Sequence, residues 1–410
     1  MTELVKGTPG LVRAVNDRAA LHLLLRQGPL TRPEISRLTG LSKPTASQVL
    51  ARLEGAGLVV GNGLRTGLPG RVPETYRVNP AAGYVTAVDV TPEWIAVRTA
   101  DITGTVLGEA EAPAPAGAGR AELMAALRAA LARVPAPEPP KRVVVGVQGA
   151  VDPTTGRLGY ASAEDMAAWL FPDVERTLGE ALGLPVRIEN DVNLAAVAER
   201  AHAAADCPDF VLLWADEGLG AALVLDGRLH RGHFGGAGEV GYLPLPGAAT
   251  AREAGDPYGH HGYQQLAGGD AVRDLLHAHG VPGADFTETV TEAVRRAGHG
   301  ASGPLPADEG AEAARTGLEL VAARLASGLA SIVTVVDPGL VVLAGRLCAA
   351  GGEPLRGLVE RELWVLSHSR ARIRLSAVAG NPVLAGALDL ALTATREEVF
   401  GGPRPVGPSL

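Results

Sequence analysis

The nine residues 188–196, which read IENDVNLAA, constrain the fold more than any other stretch. A β-branched residue leads into Glu189, Asn190 and Asp191, and small and apolar residues then recur at helical spacing as far as Arg200. The pattern predicts a strand that carries polar side chains at its carboxyl end, immediately followed by a helix. Since ligands bind at the carboxyl ends of strands in open α/β sheets, this turn is a candidate binding site.

Asn190 and Asp191 allow two interpretations. An amide beside a carboxylate can exchange hydrogen bonds with a polyhydroxylated ligand, but the same side chains can simply cap the helix and close a turn. A second polar insertion, GGAGEVG at residues 235–241, places Glu239 in a glycine-rich loop. Two such loops favour ligand binding, with the rest of the body holding them face to face.

Charge divides the chain into a basic head and an acidic body. Residues 1–80 contain 11 Lys and Arg against 5 Asp and Glu, whereas the remaining residues contain 26 against 40. This asymmetry is expected when only the head meets a polyanion, although chance clustering would produce the same numbers. A length of 410 residues allows two or three domains.

Composition disfavours several classes of protein. Two cysteines, Cys207 and Cys348, do not make a disulfide framework or a thiolate metal cluster, which favours a reducing cytoplasm. The first residues do not have the pattern of a signal peptide. The longest apolar run, 329–344, is interrupted by Asp337 and Pro338, so no membrane association is expected.

The head has the pattern of a winged helix-turn-helix. Helices are predicted over residues 13–26, 31–39 and 43–54; the second starts with a T-x-x-E capping box and ends at a glycine. Two helices joined by a short glycine turn are typical of helix-turn-helix domains. Strands predicted at 58–60 and 75–78 enclose a Gly- and Arg-rich loop, which completes a wing. Residues 1–80 are therefore predicted to form a DNA-binding domain.

The start of the third helix is the part that would enter the major groove. Its Lys43 and hydroxyl groups suit phosphates, Gln48 suits an adenine edge, and Arg52 would lie along the DNA backbone. The predicted DNA-binding residues are Ser42, Lys43, Thr45, Ser47, Gln48, Arg52, and on the wing Arg65 and Arg71. The alternative is a small helical packing domain with a solvated basic face.

From residue 81 onward, strand and helix patterns alternate in two series, which predicts an α/β body of two halves with a cleft between them. The predicted elements include strands at 84–90, 94–101 and 142–147 and helices at 174–182 and 355–366. Within it, the stretches GVQGAVDPTTGRL (146–158), IENDVNLAAVAE (188–199), LDGRLHRGHFGGAGEVGYLPL (225–245) and VVDPGLVVLAG (335–345) follow one another in an order known from one family. With these motifs the chain resembles the ROK family of repressors, open reading frames and sugar kinases, and the head resembles the winged helix of its repressor branch.

The resemblance implies a fold and a domain organisation. The body would have the two-lobed, actin-like ATPase fold of ROK sugar kinases, with a sugar cleft between the lobes. Lobe 1 would span residues 81–198 and lobe 2 residues 199–410, with the C-terminal helix packing back on lobe 1.

The resemblance also implies site residues. Asn190 and Asp191 correspond to the pair that binds sugar hydroxyls, and Asp191 is the equivalent of the general base in the kinases. Glu239 corresponds to a further sugar contact, and a family glutamate is replaced by Gln264 or Gln265. The predicted sugar-binding residues are Asn190, Asp191, Glu239, Tyr242, Asp165 and Gln265.

Three departures from the family pattern argue against catalysis. Asp89 is followed by VTPEW instead of a glycine-rich phosphate turn, and the later phosphate loop contains Asp216 and Glu217. Two carboxylates facing a triphosphate cost about 1 kcal/mol or more per close pair. Tyr242 stands where the family has a zinc-binding histidine, and the segment that follows it, residues 246–269, contains no cysteine. We therefore expect no zinc, no ATP and no catalytic residue, with Asp191 acting as a hydrogen-bond acceptor.

The adjacent His260 and His261 cannot replace four zinc ligands and are expected on the surface or in a loop.

The leading hypothesis is a cytoplasmic, sugar-responsive transcriptional regulator, most simply a repressor. A homodimer or tetramer would bind a double-stranded DNA operator, and a sugar or sugar phosphate would be the effector. The alternatives are a ROK sugar kinase that retains ATP-dependent activity and a DNA-binding dimer without an effector.

Overall fold

The structure is a computed structural model and describes residues 9–64, 74–115, 117, 119–159, 167–169, 171–255, 261–298 and 309–401. The helices in these residues are α1 (Pro9–Gln27), α2 (Arg32–Thr39), α3 (Lys43–Gly55), α4 (Arg120–Ala132), α5 (Val174–Leu182), α6 (Asp191–His202), α7 (Ala251–Ala254), α8 (Tyr263–Ala267), α9 (Gly269–Ala278), α10 (Phe286–Arg296), α11 (Glu309–Val336), α12 (Arg346–Leu366) and α13 (Pro382–Val399). The strands are β1 (Leu30–Thr31), β2 (Val59–Leu64), β3 (Glu74–Val78), β4 (Tyr84–Val90), β5 (Trp94–Asp101), β6 (Val106–Pro113), β7 (Arg142–Val147), β8 (Ala150–Val151), β9 (Leu158–Gly159), β10 (Val186–Asn190), β11 (Phe210–Ala215), β12 (Leu219–Leu225), β13 (Arg228–His230), β14 (Leu340–Ala344) and β15 (Arg372–Leu375).

The head consists of α1, α2 and α3 with an antiparallel sheet in the order β1-β3-β2. The predicted capping box is present, since the Thr31 amide donates to Glu34 Oε2 at 2.8 Å and the Glu34 amide donates to Thr31 Oγ1 at 3.4 Å. Gly40 ends α2 in the left-handed region, with φ 71°. Strand β1 was not predicted because two residues are too short to show a period.

The core of the head is completed by residues of the body. Leu21, Leu24 and Tyr76 pack in one buried cluster with Ile102, which follows β5, and with Phe400, which follows α13. The ring of His22 meets the Phe400 ring edge to face, with centroids 5.8 Å apart. The head and body therefore share one hydrophobic core.

The first body sheet has the strand order β10-β7-β4-β5-β6, in which β10, β7 and β4 are parallel. Alternate residues of β7 point to opposite faces. Val143 and Val145 pack under α4 and α5, and Val144 packs under α6 and α13. The C-terminal helix α13 thus lies on the first sheet.

The second sheet has the order β13-β12-β11-β14-β15. One face is covered by α8 to α12, and the other is covered by α6. Helix α6 serves both sheets, because Leu194 packs on the first while Val192 and Ala195 pack on the second. The predicted boundary between residues 198 and 199 falls inside this shared helix.

Helix α11 is the one helix in the described residues that is long and apolar enough to cross a membrane. Its side chains Leu318, Val321, Leu325 and Leu329 are fully buried in the cluster formed with the second sheet. Packing inside the protein therefore accounts for its apolar sequence.

Helix α12 starts at Arg346, nine residues before the start predicted from periodicity. Gly351 and Gly352 interrupt the periodic pattern, and Gly352 has φ 56°, where the helix kinks. The prediction consequently detected only the part of the helix beyond the kink.

Candidate functional site

The turn between β10 and α6 carries the two central candidates. Asn190 is the N-cap of α6, where its Oδ1 accepts from the Asn193 amide at 2.9 Å and its Nδ2 donates to the Gly149 carbonyl at 3.2 Å. Asp191 Oδ1 accepts from the Val192 amide at 2.8 Å. Asn190 therefore has the capping role that the sequence left open, and Asp191, the first residue of the helix, binds the adjacent backbone amide. They also stand at the carboxyl end of a parallel strand, where a ligand can reach them.

Asp89, Asp191 and Glu239 come together in this region, and we call them the cleft carboxyls. Burial raises the pKa of Asp191 to about 7, with smaller contributions from the negative charges of Asp89 and Asp216. Burial raises the pKa of Glu239 to about 8, and the nearby Asp191 adds to this. Among the described residues, no lysine, arginine or histidine forms an ion pair with any of the three.

Asp89 reaches the cleft because β4 runs parallel to β7 and β10, so the carboxyl ends of the three strands meet at one edge. Burial raises its pKa to about 6, against the opposing effect of a hydrogen bond from Asn381 Nδ2 at 2.7 Å. Asn381 in turn is the N-cap of α13 and accepts from the Leu384 amide at 2.9 Å. The cleft is thus tied directly to the first turn of α13.

The glycine-rich loop brings Glu239 to the cleft through close backbone approaches. Gly235 has φ 83°, and a Cβ there would lie 2.6 Å from the Val151 carbonyl oxygen. Gly238 has φ 101°, and a Cβ there would overlap the Ala221 carbonyl oxygen. Both positions require glycine. The loop therefore lies between β8 on one side and β12 on the other.

Asp216 and Glu217, which follow β11, have a different environment. The Arg346 amide donates to Asp216 Oδ2 at 2.8 Å, its Nε donates to Asp216 Oδ1 at 2.8 Å, and its Nη2 lies 2.9 Å from Glu217 Oε1. We call these three residues the Arg346 cluster. Helix N-termini bind anions. Here the first turn of α12 already holds the carboxylate of Asp216.

Gln264 fixes the same loop from the other side. Its Oε1 accepts from the Leu219 amide at 2.7 Å, and its Nε2 donates to the Glu217 carbonyl at 2.7 Å. The predicted Gln265 is exposed, and its Oε1 accepts from the Ala249 amide at 2.9 Å. Between the two positions that the sequence left open, Gln264 is the one that contacts the Asp216 loop.

His261 lies in a loop, one of the two places expected for it, but it is not on the surface. Its side chain is 3% exposed, and its ring lies 6.3 Å from the ring of Tyr242, centroid to centroid. Tyr242 itself is half-buried in the turn that follows Glu239. The polar run HHGYQQ concealed this burial. Asp165, His260, Arg65 and Arg71 lie outside the described residues.

The N-terminal turn of α3 presents Lys43, Ser47 and Gln48 to solvent. Ser42 caps the helix and accepts from the Thr45 amide at 3.3 Å, and the Ser42 and Thr45 hydroxyls lie 2.8 Å apart, so both hydroxyls already have a local role. Arg52 is paired with Asp17 of α1, with Nη2 and Oδ1 2.6 Å apart, and this hydrogen bond raises the pKa of the guanidinium. Lys43, Ser47 and Gln48 are the predicted residues that remain most accessible to DNA.

The sequence did not reveal the role of Arg346 or the ion pair between Arg231 and Glu189. One signal was available for Arg346. Two adjacent acidic residues beside a buried strand require a cation, because an isolated buried charge is costly. Nothing in the spacing showed which arginine supplies it.

Comparison with known proteins agrees with both parts of the fold. The sequence profile of the MarR family matches residues 15–63. A xylose repressor from Caldicellulosiruptor bescii is 24% identical over 397 residues, covering 94% of this chain and 98% of the relative. The structure described as a ROK family transcriptional regulator, a homologue of the E. coli MLC protein, aligns with a TM-score of 0.68 and 17% identity, covering 95% of this chain and all of the other.

A ROK hexokinase from Thermus thermophilus aligns with a TM-score of 0.60 and 26% identity, covering 77% of this chain and 99% of the enzyme. The alignment confirms the predicted two-lobed kinase-like fold of the body. The sequence profile of the ROK family matches residues 85–394. The chain therefore belongs to the ROK family and carries a MarR-type winged helix at its N-terminal end.

Proposed function

We propose that this protein is a sugar-responsive, DNA-binding transcriptional repressor. The observation that carries the proposal is the course of α13. At its N-terminus Asn381 binds Asp89 in the cleft, and at its C-terminus Phe400 packs in the core of the head. A ligand that moves the Asp89 turn therefore has a continuous, packed element through which it can act on the head.

The DNA-binding end is supported by charge and by the exposed start of α3. Lys43, Ser47 and Gln48 are accessible, and the head is basic, with 11 Lys and Arg against 5 Asp and Glu, although the whole chain has a net charge of −8. Helix-turn-helix dimers place two such helices on half-sites about one helical turn apart. We accordingly propose a homodimer, or a tetramer built from dimers, on a two-fold operator in the cytoplasm.

The sugar-binding end is supported by the cleft carboxyls. Carboxyl groups buried without a cation are costly, and they are retained where a ligand uses them. Asp191 as a carboxylate accepts hydrogen bonds from sugar hydroxyls. Glu239, with its raised pKa, can donate one in its protonated form. A sugar would then exchange the repulsion among these groups for hydrogen bonds.

The alternative of a working sugar kinase is disfavoured by the Arg346 cluster. The N-terminus of α12 and the loop after β11 are occupied by the protein's own ion pairs. A triphosphate would have to displace Asp216 and Glu217 from Arg346 and then face both carboxylates. We therefore propose that the protein needs neither ATP nor zinc.

The test uses DNA selected by the purified protein from a random duplex library. Binding is followed by fluorescence anisotropy in the presence of D-xylose, D-glucose, N-acetyl-D-glucosamine and the 6-phosphates of the hexoses. We expect at least one of these to weaken operator binding fivefold or more, and Asp191→Ala to abolish the response without changing affinity for the operator. Lys43→Ala should weaken operator binding and lower the salt slope by about 0.9, as expected for one phosphate contact.

The same experiment separates the alternatives. Operator binding that no sugar changes, together with a thermal-shift screen in which no sugar stabilises the protein, would support a DNA-binding dimer without an effector. Sugar-dependent release of ADP from ATP would support the kinase. A regulator requires differential affinity of the sugar for the two states of the protein, so sugar binding alone does not suffice.

A further inference from the structure

An ion pair joins the two sheets beside the cleft. Arg231 follows β13 of the second sheet, and Glu189 is in β10 of the first. Arg231 Nε donates to Glu189 Oε2 at 2.7 Å, and Nη2 lies 2.7 Å from the same oxygen. The carboxylate side chain is only 6% exposed. The other oxygen, Oε1, accepts from Asn193 Nδ2 at 3.0 Å and from the Asn190 amide at 3.2 Å.

Arg231 also closes the loop that carries Glu239. Its carbonyl accepts from the Ala237 amide at 3.0 Å, and Gly232 leaves so little space that a Cβ would lie 3.1 Å from the Cβ of Ala237. The side chain of Arg231 is thus bound to the Asn190 turn, and its backbone is bound to the residues just before Glu239. One residue connects the two polar loops of the cleft.

A contribution to stability does not account for such a pair well. Burying an ion pair gains little net free energy, and apolar side chains of similar volume often stabilise a protein as much or more. What the pair does supply is a defined distance, because two nitrogens of a rigid guanidinium converge on one oxygen. That distance sets how far the Glu239 loop stands from Asn190 and Asp191.

We infer that Arg231, acting through Glu189, is a positioning residue for sugar binding, which holds Glu239 opposite Asn190 and Asp191. The inference rests on the proposed function for the class of ligand. The structural part, that Arg231 fixes the loop at residues 232–241, does not depend on a ligand. The two parts can therefore be tested separately.

The experiment compares Arg231→Met, Arg231→Lys and the double variant Arg231→Met with Glu189→Gln. Arg228→Met is the matched control, since Arg228 begins the edge strand β13 that Arg231 follows, is exposed and forms no ion pair within the described residues. The first readout is hydrogen–deuterium exchange of the unliganded protein. The second is the dissociation constant for D-xylose, D-glucose and N-acetyl-D-glucosamine, and the third is the melting temperature.

Arg231→Met should increase exchange at residues 232–241 at least tenfold and weaken binding of the tightest sugar probe at least tenfold. Arg231→Lys should recover part of both, because it keeps the charge but not the planar geometry. Arg231→Met leaves the buried charge of Glu189 unpaired and should lower the melting temperature. The double variant removes that charge, so its melting temperature should recover while its sugar affinity stays low. A merely structural ion pair would recover both together. Arg228→Met should change none of the three readouts.

Unchanged exchange at residues 232–241 in Arg231→Met would overturn the inference, whatever the sugar result. Wild-type sugar affinity in the double variant would overturn it as well. If the wild-type protein binds none of the three sugars while Arg231→Met raises exchange as expected, the proposed function fails for these ligands and the anchoring of the loop stands.

Discussion

The cleft carboxyls and the two carboxylates of the Arg346 cluster are two sets of acidic side chains near the same cleft, and their electrostatic environments are opposite. Asp191 and Glu239 have raised pKa values, and no basic side chain among the described residues forms an ion pair with either of them. Asp216 and Glu217 share the guanidinium of Arg346, and the hydrogen bonds to these two carboxylates raise the pKa of Arg346. The first set is left with unsatisfied hydrogen-bonding capacity, whereas the second has satisfied its capacity within the protein.

We propose that the first set belongs to a binding site that this fold has kept and the second set to one that it has closed. Carboxyls kept without a cation cost free energy in the unliganded protein, and that cost is recovered when a ligand supplies hydrogen bonds. Carboxyls paired with arginine have no such need. The following predictions test this contrast, beginning with the largest expected effect.

Asp191→Ala should weaken binding of the responsive sugar at least 100-fold, about 2.7 kcal/mol, because a hydrogen bond to a charged acceptor is lost in a partly buried site. Isothermal titration calorimetry measures this directly. Asp216→Asn is the matched control and should leave sugar affinity within twofold. Equal losses of sugar affinity in the two variants would mean that the cleft carboxyls and the Arg346 cluster do not differ in their role in sugar binding.

The unliganded protein should lose stability as pH rises. The pKa values of Asp89, Asp191 and Glu239 are raised in the folded state to about 6, 7 and 8. Their contribution is therefore fully present below the unfolded values near 4 and is lost as pH rises through 6 to 8. We expect the free energy of unfolding to fall by about 4 kcal/mol between pH 6 and pH 9, with the largest share from Glu239.

Urea denaturation at a series of pH values checks this loss. Glu239→Gln removes the group with the highest pKa and should flatten the curve above pH 7. A variant whose curve remains as steep as that of the wild-type protein would mean that Glu239 is ionised in the folded protein at neutral pH.

Arg346→Met should lower the free energy of unfolding by about 1–2 kcal/mol, since it leaves the nearly buried Asp216 without its partner. Arg361→Met, on the solvent side of the same helix and paired with Glu319 at 3.5 Å, should cost less than about 0.5 kcal/mol. Sugar affinity should stay within twofold in both variants. A large loss of sugar affinity in Arg346→Met would mean that the Arg346 cluster is part of the sugar-binding site.

Asn381→Ser should keep the helix cap of α13 but lose the hydrogen bond to Asp89. We expect sugar affinity and operator affinity to change little, while the effect of the sugar on operator affinity drops about fivefold, roughly 1 kcal/mol of coupling. Operator titrations with and without the sugar measure this. Asp285→Ser, the N-cap of α10, is the control for cap replacement. If the sugar changes operator affinity as much in Asn381→Ser as in the wild-type protein, then α13 does not transmit the response through Asn381.

Local sequence signals predicted most elements of this fold. The predicted bounds of β4, β5, β7 and α5 coincide with the observed ones, because alternation and caps are encoded in neighbouring residues. The capping box of α2 and the left-handed Gly40 followed from the same local rules. The start of α12 was lost because two glycines conceal its period.

Contacts between distant residues were not predictable in this way. The family motif predicted Asn190, Asp191 and Glu239 as site residues, but no motif predicted the contact of Arg346 with Asp216, from which it is separated by 130 residues. Arg231 and Glu189 are separated by 42 residues. Such pairs depend on how the sheets are arranged in space, and no periodicity records that arrangement. The burial of His261 follows from the packing of the loops after Glu239 and is equally absent from the sequence pattern.

The shared core of head and body has a consequence for synthesis. The head is made first, yet Ile102 and Phe400 are needed to complete its core. At roughly 5–20 residues per second, a ribosome needs on the order of half a minute to travel from Val78 to Phe400. During that time the head lacks part of its apolar packing. A nascent chain can therefore acquire a fully packed DNA-binding surface only after the cleft that regulates it has been synthesised.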